Sequence, residues 1–147
     1  LIIRRLTVET LDDFLDFFDH RAFLNDPDWQ DCYCQFYLNS GNDDSSQNRD
    51  LACQRVATGK MDGYLAYQAG KVVAWCAAAN SLLFPNLPGA DDQLARILCF
   101  NVDPEAAPSN QDYGAKSYRG SLEMFQKRGF VVLTELGDGH VLVRRDL

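Results

Sequence analysis

The sequence has few basic residues and almost no histidine. Only 14 lysines and arginines stand against 21 aspartates and glutamates, so the formal net charge is −7. A charge of this sign repels nucleic acid and anionic membranes and favours cationic partners such as amines. With only His20 and His140 in the chain, a Ser–His–Asp or Cys–His catalytic arrangement has little support. We therefore expect neither a nucleic-acid partner nor a membrane partner.

The sequence also lacks any long apolar run. No stretch approaches the ~20 apolar residues that span a bilayer, and the N-terminal residues LIIRRLTVE lack the apolar core of a signal peptide. The cysteines are odd in number and have apolar neighbours, which favours reduced buried thiols over a disulfide framework. We therefore expect a soluble, cytoplasmic protein. The five cysteines are Cys32, Cys34, Cys53, Cys76 and Cys99.

What the chain does contain is enough apolar material for one core. Of its 147 residues, 46% are hydrophobic and 12% are aromatic, and a chain of this size forms one ordinary domain. No internal repeat and no linker divides it. We expect a single domain over residues 1–147, in which strands and helices are mixed (α/β or α+β).

The sequence up to Gly59 predicts a strand and two helices. Leu1 to Val8 is rich in branched residues and predicts a strand, and Thr10 followed by Asp13 resembles a capping box at a helix start. Arg49 to Thr58 predicts a second, short helix that is closed by Gly59. The first helix has an apolar stripe formed by Leu11, Phe14, Leu15 and Phe18.

Two stretches predict antiparallel hairpins. The run GYLAYQAGKVVAWCAAA, residues 63–79, has two apolar segments around a glycine turn. Phe130 to Leu136 and Val141 to Arg145 are a second pair, joined by a turn that contains two glycines. Tyr118 to Arg128 predicts a short helix before them. Asn39 to Asn48 is polar throughout and predicts a loop.

The stretch Arg96 to Pro108, RILCFNVDPEAAP, organises the rest of the chain. Apolar residues occupy both sides of the alternation from Arg96 to Val102, which predicts a central strand buried on two faces. Pro104 removes an amide donor and ends the strand. The last backbone groups of this strand are then left for something other than a neighbouring strand, and a ligand is one candidate.

The segment DWQDCYCQFYL combines two cysteines with four aromatic residues. On a strand, Cys32 and Cys34 would point both sulfurs the same way, but a structural zinc site needs a second pair or histidines. We therefore expect no metal and interpret both cysteines as small buried hydrophobes. The aromatic side chains could also line a pocket for an acceptor.

The order of these elements resembles GNAT-type N-acetyltransferases. The shared features are a strand, helices, an antiparallel hairpin, a strand that ends in Val102-Asp103-Pro104, a helix that ends in Gly129-Phe130, and a final hairpin. The segments DCYCQFY, AWCAAA, ILCFNVDP, EAAP and YRGSLEMFQKRGF are similar to one bacterial subgroup and span nearly the whole chain. The resemblance implies a GNAT-like mixed, mostly antiparallel sheet flanked by helices.

The chain departs from this family after the central strand. The family has a glycine-rich loop and a long helix there, whose N-terminal amides hold the pyrophosphate of coenzyme A. A crossover to a further strand needs on the order of 30 residues, and only Asp103 to Ser117 is available. We therefore expect that a segment is missing between Pro104 and Glu105. The alternative is that the protein truly lacks it.

The resemblance implies acetyl transfer from acetyl-CoA to an amine of a small molecule or a protein. It implies that backbone amides of the central strand hold the thioester and stabilise the oxyanion, and that the pantetheine arm of the coenzyme lies beside this strand. The implied coenzyme-binding residues are Cys99, Phe100, Asn101 and Val102.

The resemblance says less about proton transfer. Glu105 and Glu123 are the candidate general bases. The alternative for each of them is that it is only a solvated charge on the surface. The family's tyrosine acid corresponds to Phe125, so Tyr118 or Tyr33 would have to replace it. A thiol with a pKa near ~8.5 can also leave as thiolate without a donor.

Two other functions remain open at this point. One is a non-catalytic binding module that keeps the sheet and has lost the cofactor loop. The other is a metal or thiol sensor built on Cys32 and Cys34. A homodimer is possible, and the acceptor cannot be read from the residues.

Overall fold

The computed structural model describes residues 1–39, 44–84, 87, 89, 91–106, 121–137 and 140–146. Within these ranges the chain forms three α-helices, six strands and short 3₁₀ turns. The helices are α1 (Leu11–His20), α2 (Asn48–Ala57) and α3 (Leu122–Gln126). The strands are β1 (Ile2–Arg5), β2 (Tyr64–Gln68), β3 (Lys71–Asn80), β4 (Ala95–Val102), β5 (Val131–Gly137) and β6 (His140–Arg144).

A four-stranded antiparallel sheet forms the centre of the fold. Its strand order is β1-β2-β3-β4, and β5 and β6 form a separate two-stranded sheet. The β2–β3 hairpin turns through Ala69 and Gly70, whose φ angles are 50° and 79°. Two central residues with positive φ give the turn a twist that matches the flanking strands. Both predicted hairpins are thus confirmed, and the fold is a mixture of helices with an antiparallel sheet.

The position of β4 differs from the prediction. The strand lies beside the β2–β3 hairpin as expected, with Asn101 opposite Trp75. Within the described residues, however, β4 pairs with β3 alone and is an edge strand, and Ile97 is 40% exposed. The predicted central position is wrong. Apolar residues on both sides of the alternation indicate packing against the two faces of a strand, but they do not indicate whether both of its edges pair with other strands.

Helix α1 packs its apolar stripe against the sheet. Phe14 and Phe18 are buried and meet Trp75 of β3, with the Phe14 ring 4.9 Å from the indole in an edge-to-face arrangement. Such aromatic pairs add about 0.5–1.5 kcal/mol beyond the burial of area. Phe17, which the predicted stripe omitted, is fully buried as well. The apolar face of α1 is therefore wider than one row.

The start of α1 corrects the predicted cap. Thr10 precedes the helix, but the reciprocal hydrogen bonds join it to Thr7, one turn earlier. The backbone N–H of Thr7 donates to Oγ1 of Thr10 at 2.9 Å, and Thr10 N–H donates to the Thr7 carbonyl at 3.1 Å. Asp13 takes no part in this box. Its carboxylate accepts a hydrogen bond from Tyr67 of β2 instead.

After β4 the chain makes a tight turn. Ala106 N–H donates to the carbonyl of Asp103 at 3.0 Å, and Glu105 N–H donates to its carboxylate at 2.9 Å. The predicted extra segment between Pro104 and Glu105 stays a prediction, which the intact mass of the natural protein tests. Among the helices described, none has the length and apolar character to cross a bilayer.

Candidate functional site at the edge of strand β4

Residues 31–39, which we call the cysteine loop, pack beside the sheet as a series of turns and not as a strand. Tyr33 and Cys34 have φ angles of 41° and 58°. The left-handed conformation costs a non-glycine residue roughly 1–2 kcal/mol, so the surrounding contacts have to impose it. Backbone of this kind is concentrated at functional sites.

A buried polar network from α2 holds the cysteine loop in this shape. Arg55 donates to the side chains of Gln35 and Asn39, the latter at 2.7 Å, and to the carbonyl of Leu38 at 3.0 Å. Gln35 is fully buried, and its amide donates to the carbonyl of Tyr33 at 2.8 Å. Because each buried polar atom here has a partner, the network is costly to disturb.

A second contact fixes the loop to α1. The Tyr33 hydroxyl donates to Oδ1 of Asp19 at 2.5 Å, and its ring stacks on Phe18. Arg49 of α2 binds the same carboxylate through two hydrogen bonds of 3.1 and 3.0 Å. Arg49 lowers the pKa of Asp19, and the Tyr33 hydroxyl adds to this effect. Burial, and then the neighbouring carboxylate, raise the pKa of Tyr33 to about 12.

The loop places Cys34 in the core, where it is buried in one cluster with Cys99 of β4 and Trp75 of β3. Interactions with Cys99 and then with Trp75 lower the pKa of Cys34, although the residue is buried. The interaction with Cys34, together with burial, raises the pKa of Cys99 well above its ordinary value.

The buried face of β4 carries three polar side chains in sequence. Cys99, Asn101 and Asp103 alternate along the strand and are all buried. The Cys99 thiol donates to Oδ1 of Asn101 at 3.1 Å, and the Asp103 carboxylate accepts from the backbone of Glu105. The sequence predicted buried residues here but gave no sign of the polar chain that they form.

A bulge interrupts β4 in its middle. The register pairs Ala77 with Cys99 but Ala78 with Ile97, so Leu98 is an extra residue on the β4 side. A β-bulge of this type bends the strand and increases its twist. The half of β4 that follows Leu98 therefore runs in a different direction from the first half.

The backbone of β4 presents two donors on its outer edge. Asp103 N–H donates to the Val73 carbonyl at 2.9 Å, so it faces β3. Because N–H groups alternate along an antiparallel strand, the amides of Asn101 and Cys99 face β3 as well. Those of Phe100 and Val102 face away from it. Of the four residues expected to bind the coenzyme, these two are placed to offer their amides to a ligand.

The opposite face of β4 meets the C-terminal part of the chain. The ring of Phe100 lies 6.1 Å from that of Phe125 on α3, and Phe125 lies 5.3 Å from Phe130. Phe125, at the position of the family's tyrosine acid, thus contacts the strand that is expected to bind the coenzyme. Its side chain packs against the strand and has no acidic proton to donate.

The structure describes two of the three expected acid–base residues, Glu105 and Glu123. Glu105 follows β4 directly and has an exposed side chain. Glu123 lies on α3, is exposed and pairs with Lys127 at 2.6 Å, which lowers the pKa of its carboxyl. Tyr118 lies outside the described residues. Tyr33, the other candidate acid, has its hydroxyl bound to Asp19.

The residues fit part of a coenzyme A molecule. The outer edge of β4 offers donors for the amides of a pantetheine arm. A pyrophosphate would require a helix N-terminus close to the end of β4. The residues described directly after β4, 103–106, form a turn and not a helix. The described residues contain no group of three or more His, Cys, Asp or Glu side chains that could hold a metal ion. All five cysteines are free thiols.

A shallow groove of about 280 Å³ lies elsewhere, at the outer end of β1 and β2. Arg4 stacks over the ring of Tyr67 at 5.3 Å, and the Tyr67 hydroxyl donates to Asp13 at 2.7 Å. Three of its polar side chains therefore already interact with one another. The groove shares no residue with the edge of β4.

Comparison with known proteins gives no relative. No family model, no curated protein and no solved structure matches this chain.

Proposed function

We propose that the chain is an acyl-CoA-dependent N-acyltransferase of the GNAT type, which moves an acetyl group from acetyl-CoA to an amine. The observation that carries this proposal is the outer edge of β4, where the amides of Phe100 and Val102 point away from the sheet beyond the bulge at Leu98. A pantetheine arm contains two amides, so it can pair with such an edge as an added strand does.

In this proposal the transferred group lies beside the end of β4. The amine attacks the thioester carbonyl, and the negative charge that develops on its oxygen is stabilised by an outward backbone N–H. The carbon–sulfur bond then breaks and coenzyme A leaves as thiolate. A thiolate of pKa near ~8.5 leaves without help from an acid, so the aromatic Phe125 is compatible with this step.

A general base is needed to remove a proton from the amine. Glu105 and Glu123 are the two candidates. The ion pair with Lys127 lowers the pKa of Glu123 and occupies its carboxylate. We assign the role to Glu105, which directly follows the strand. Tyr118 keeps its place as a candidate acid. The net charge of −7 favours a cationic amine as acceptor, and we place the protein in the cytoplasm.

The proposal is tested at the backbone of Val102. Val102→Pro removes one outward N–H without removing a bond to β3, since proline is tolerated where the N–H faces away from the ladder. Val102→Ala is the matched control because it keeps the donor and loses side-chain volume. By calorimetry on protein of verified intact mass, we expect acetyl-CoA to bind Val102→Pro at least about tenfold more weakly than the wild type.

The controls separate two failures. If Val102→Pro and Val102→Ala lose the same affinity, the amide is not the contact and the placement of the coenzyme is wrong. If the wild type shows no binding at millimolar acetyl-CoA, acyl transfer itself is contradicted.

The second candidate function is a non-catalytic binding module. It is favoured by one observation, which is that residues 103–106, directly after β4, form a turn and not a helix whose N-terminus could hold a pyrophosphate. An intact mass of 16.6 kDa for the natural protein, together with no acetyl-CoA binding, would support the module. A mass several kDa higher would support the enzyme and the predicted segment after Pro104.

A further inference from the structure

Residues 22–48 contain no lysine, arginine or histidine. The same stretch contains five aspartates, which are Asp26, Asp28, Asp31, Asp43 and Asp44. Asp28 and Asp31 are exposed, and no salt bridge or side-chain hydrogen bond joins either carboxylate to another described residue. These two negative charges are therefore available to a cation from outside the chain.

Three aromatic side chains of the same stretch form a cluster at the surface, which we call the aromatic patch: Trp29, Phe36 and Tyr37. The ring of Phe36 lies 6.4 Å from that of Trp29 at 69° and 5.1 Å from that of Tyr37 at 89°. Trp29 is 44% exposed and Phe36 60%. Asp28 directly precedes Trp29, and Asp31 follows it by two positions. The patch thus combines exposed rings with carboxylates that are close to them in the chain.

The backbone beneath the patch is fixed from the inside. Pro27–Trp29 is a 3₁₀ turn, and the N–H of Cys32 donates to the Trp29 carbonyl at 2.9 Å. Gln35, which precedes Phe36, is fully buried and accepts a hydrogen bond from Arg55. An exposed ring on a fixed backbone loses little conformational freedom when a partner covers it. Aromatic residues that are prepared in this way are typical of binding hot spots.

We propose that the aromatic patch is a docking surface for an arginine-containing segment of a partner protein. A guanidinium group stacks on aromatic faces and also pairs with carboxylates through two parallel hydrogen bonds, so it can use the rings and the aspartates together. Charge complementarity is the argument for this occupant, because Asp28 and Asp31 attract a cation and no basic side chain in residues 22–48 competes for them. The proposal is independent of acyl transfer, since it shares no residue with the edge of β4.

Two other occupants suit the patch less well. An anionic membrane would be repelled by Asp28 and Asp31 and by the net charge of −7. A second copy of the chain would have to supply an arginine, and four of its arginines already form salt bridges within their own chain. These are Arg5, Arg21, Arg49 and Arg144.

The experiment is a peptide titration that is followed at the indole N–H signals by NMR. The chain has two tryptophans, and Trp75 is only 1% exposed, so its signal is an internal reference for that of Trp29. The probe is a short peptide of alternating arginine and glycine, and the matched probe has lysine in place of arginine. At physiological salt we expect the arginine peptide to shift the Trp29 signal alone. The lysine peptide should bind at least about threefold more weakly.

Variants separate the rings from the charges. Trp29→Leu and Phe36→Leu keep an apolar side chain but remove the π face, and each should weaken binding of the arginine peptide by about two- to fivefold. Phe36→Tyr keeps a ring and should bind within about twofold of the wild type. Asp28→Asn and Asp31→Asn should each weaken binding by about two- to fivefold. Asp92→Asn, at an exposed aspartate before β4, is the matched charge control and should leave the affinity unchanged.

Three results would overturn the proposal. Equal binding of both peptides to the wild type and to Phe36→Leu would mean that only the net charge of the protein is sensed. No shift of the Trp29 signal at millimolar arginine peptide would mean that the patch does not bind a basic segment. A difference in oligomeric state between the wild type and Phe36→Leu, measured by sedimentation, would assign the patch to a second copy of the chain. An unchanged Trp75 signal confirms in each variant that the core is intact.

Discussion

The hydroxyl of Tyr33 donates a 2.5 Å hydrogen bond to Oδ1 of Asp19, across the interface between the cysteine loop and α1. Arg49 binds the same carboxylate from α2, so one partly buried aspartate joins three segments. The residue next to Tyr33 is Cys34, which is buried in one cluster with Trp75 of β3 and Cys99 of β4. Position 19 therefore helps to fix the position of Cys34 through the loop, without touching its sulfur.

Asp19→Asn is expected to destabilise the fold by about 1–3 kcal/mol, because Arg49 loses its carboxylate and the Tyr33 hydroxyl loses a charged acceptor. Chemical denaturation measures the change. Asp92→Asn, at an exposed aspartate before β4, is the control and should shift the free energy of unfolding by less than about 0.5 kcal/mol.

The same pair gives a pH dependence of defined sign. Since the folded-state pKa of Asp19 is lowered, its contribution is complete above the unfolded value of about 3.9 and is lost as the pH falls through the lower folded value. The stability difference between wild type and Asp19→Asn should therefore be constant near neutral pH and shrink below about pH 4. A difference that stays constant down to pH 2 would contradict the ion pair.

Gly63→Ala tests the space beneath Trp75. A Cβ at position 63 would overlap the Trp75 ring and lie 2.5 Å from the carbonyl oxygen of Cys76. We expect a loss of about 1–3 kcal/mol or more, as for other overpacked cores, together with a change in tryptophan fluorescence. Gly59→Ala is the comparison, because that Cβ would meet nothing within 4 Å and only the positive φ of 67° is strained. Equal costs for the two variants would argue against the position of the indole.

Arg55→Lys tests the network that shapes the cysteine loop. A lysine has a single ammonium group, so it cannot donate hydrogen bonds to the side chains of Gln35 and Asn39 and to the Leu38 carbonyl at the same time. We expect about 1–3 kcal/mol of destabilisation and faster alkylation of Cys34 in the folded protein. Unchanged alkylation together with lower stability would mean that the loop keeps its shape without Arg55.

Glu105→Gln tests the proposed base. If this carboxylate takes the amine proton, acetyl transfer should fall by about 10²–10⁴ while the affinity for acetyl-CoA stays the same. Glu123→Gln removes the partner of Lys127 at an exposed site and is expected to change stability little. A larger catalytic loss in Glu123→Gln than in Glu105→Gln would reverse the assignment.

Local patterns in the sequence were enough to predict most of the elements. Helix α1 and the two hairpins follow from periods of 3.6 and 2 and from glycine turns, which are properties of adjacent residues. The edge position of β4 was not predictable, because the same alternation suits an edge and a central strand. GNAT-type architecture stays a prediction for the same reason, since it depends on a strand that would follow Pro104.

The site was predicted less well than the elements. The outward amides of Phe100 and Val102 follow from the strand and its register, so the sequence could point to them. The cluster that Cys34 shares with Trp75 and Cys99, and the contact of Tyr33 with Asp19, bring together residues that are apart in the chain. Their only local signal was the density of aromatic residues around Cys32 and Cys34.

The alternation of amides along β4 has a consequence for measurement. Amides 99, 101 and 103 face β3, where hydrogen bonds slow their exchange with solvent, whereas amides 100 and 102 face outward and exchange without opening the sheet. Neighbouring positions of one strand thus have two exchange rates. Protection that appears only at the even positions would report that something has paired with this edge, before its chemical identity is known.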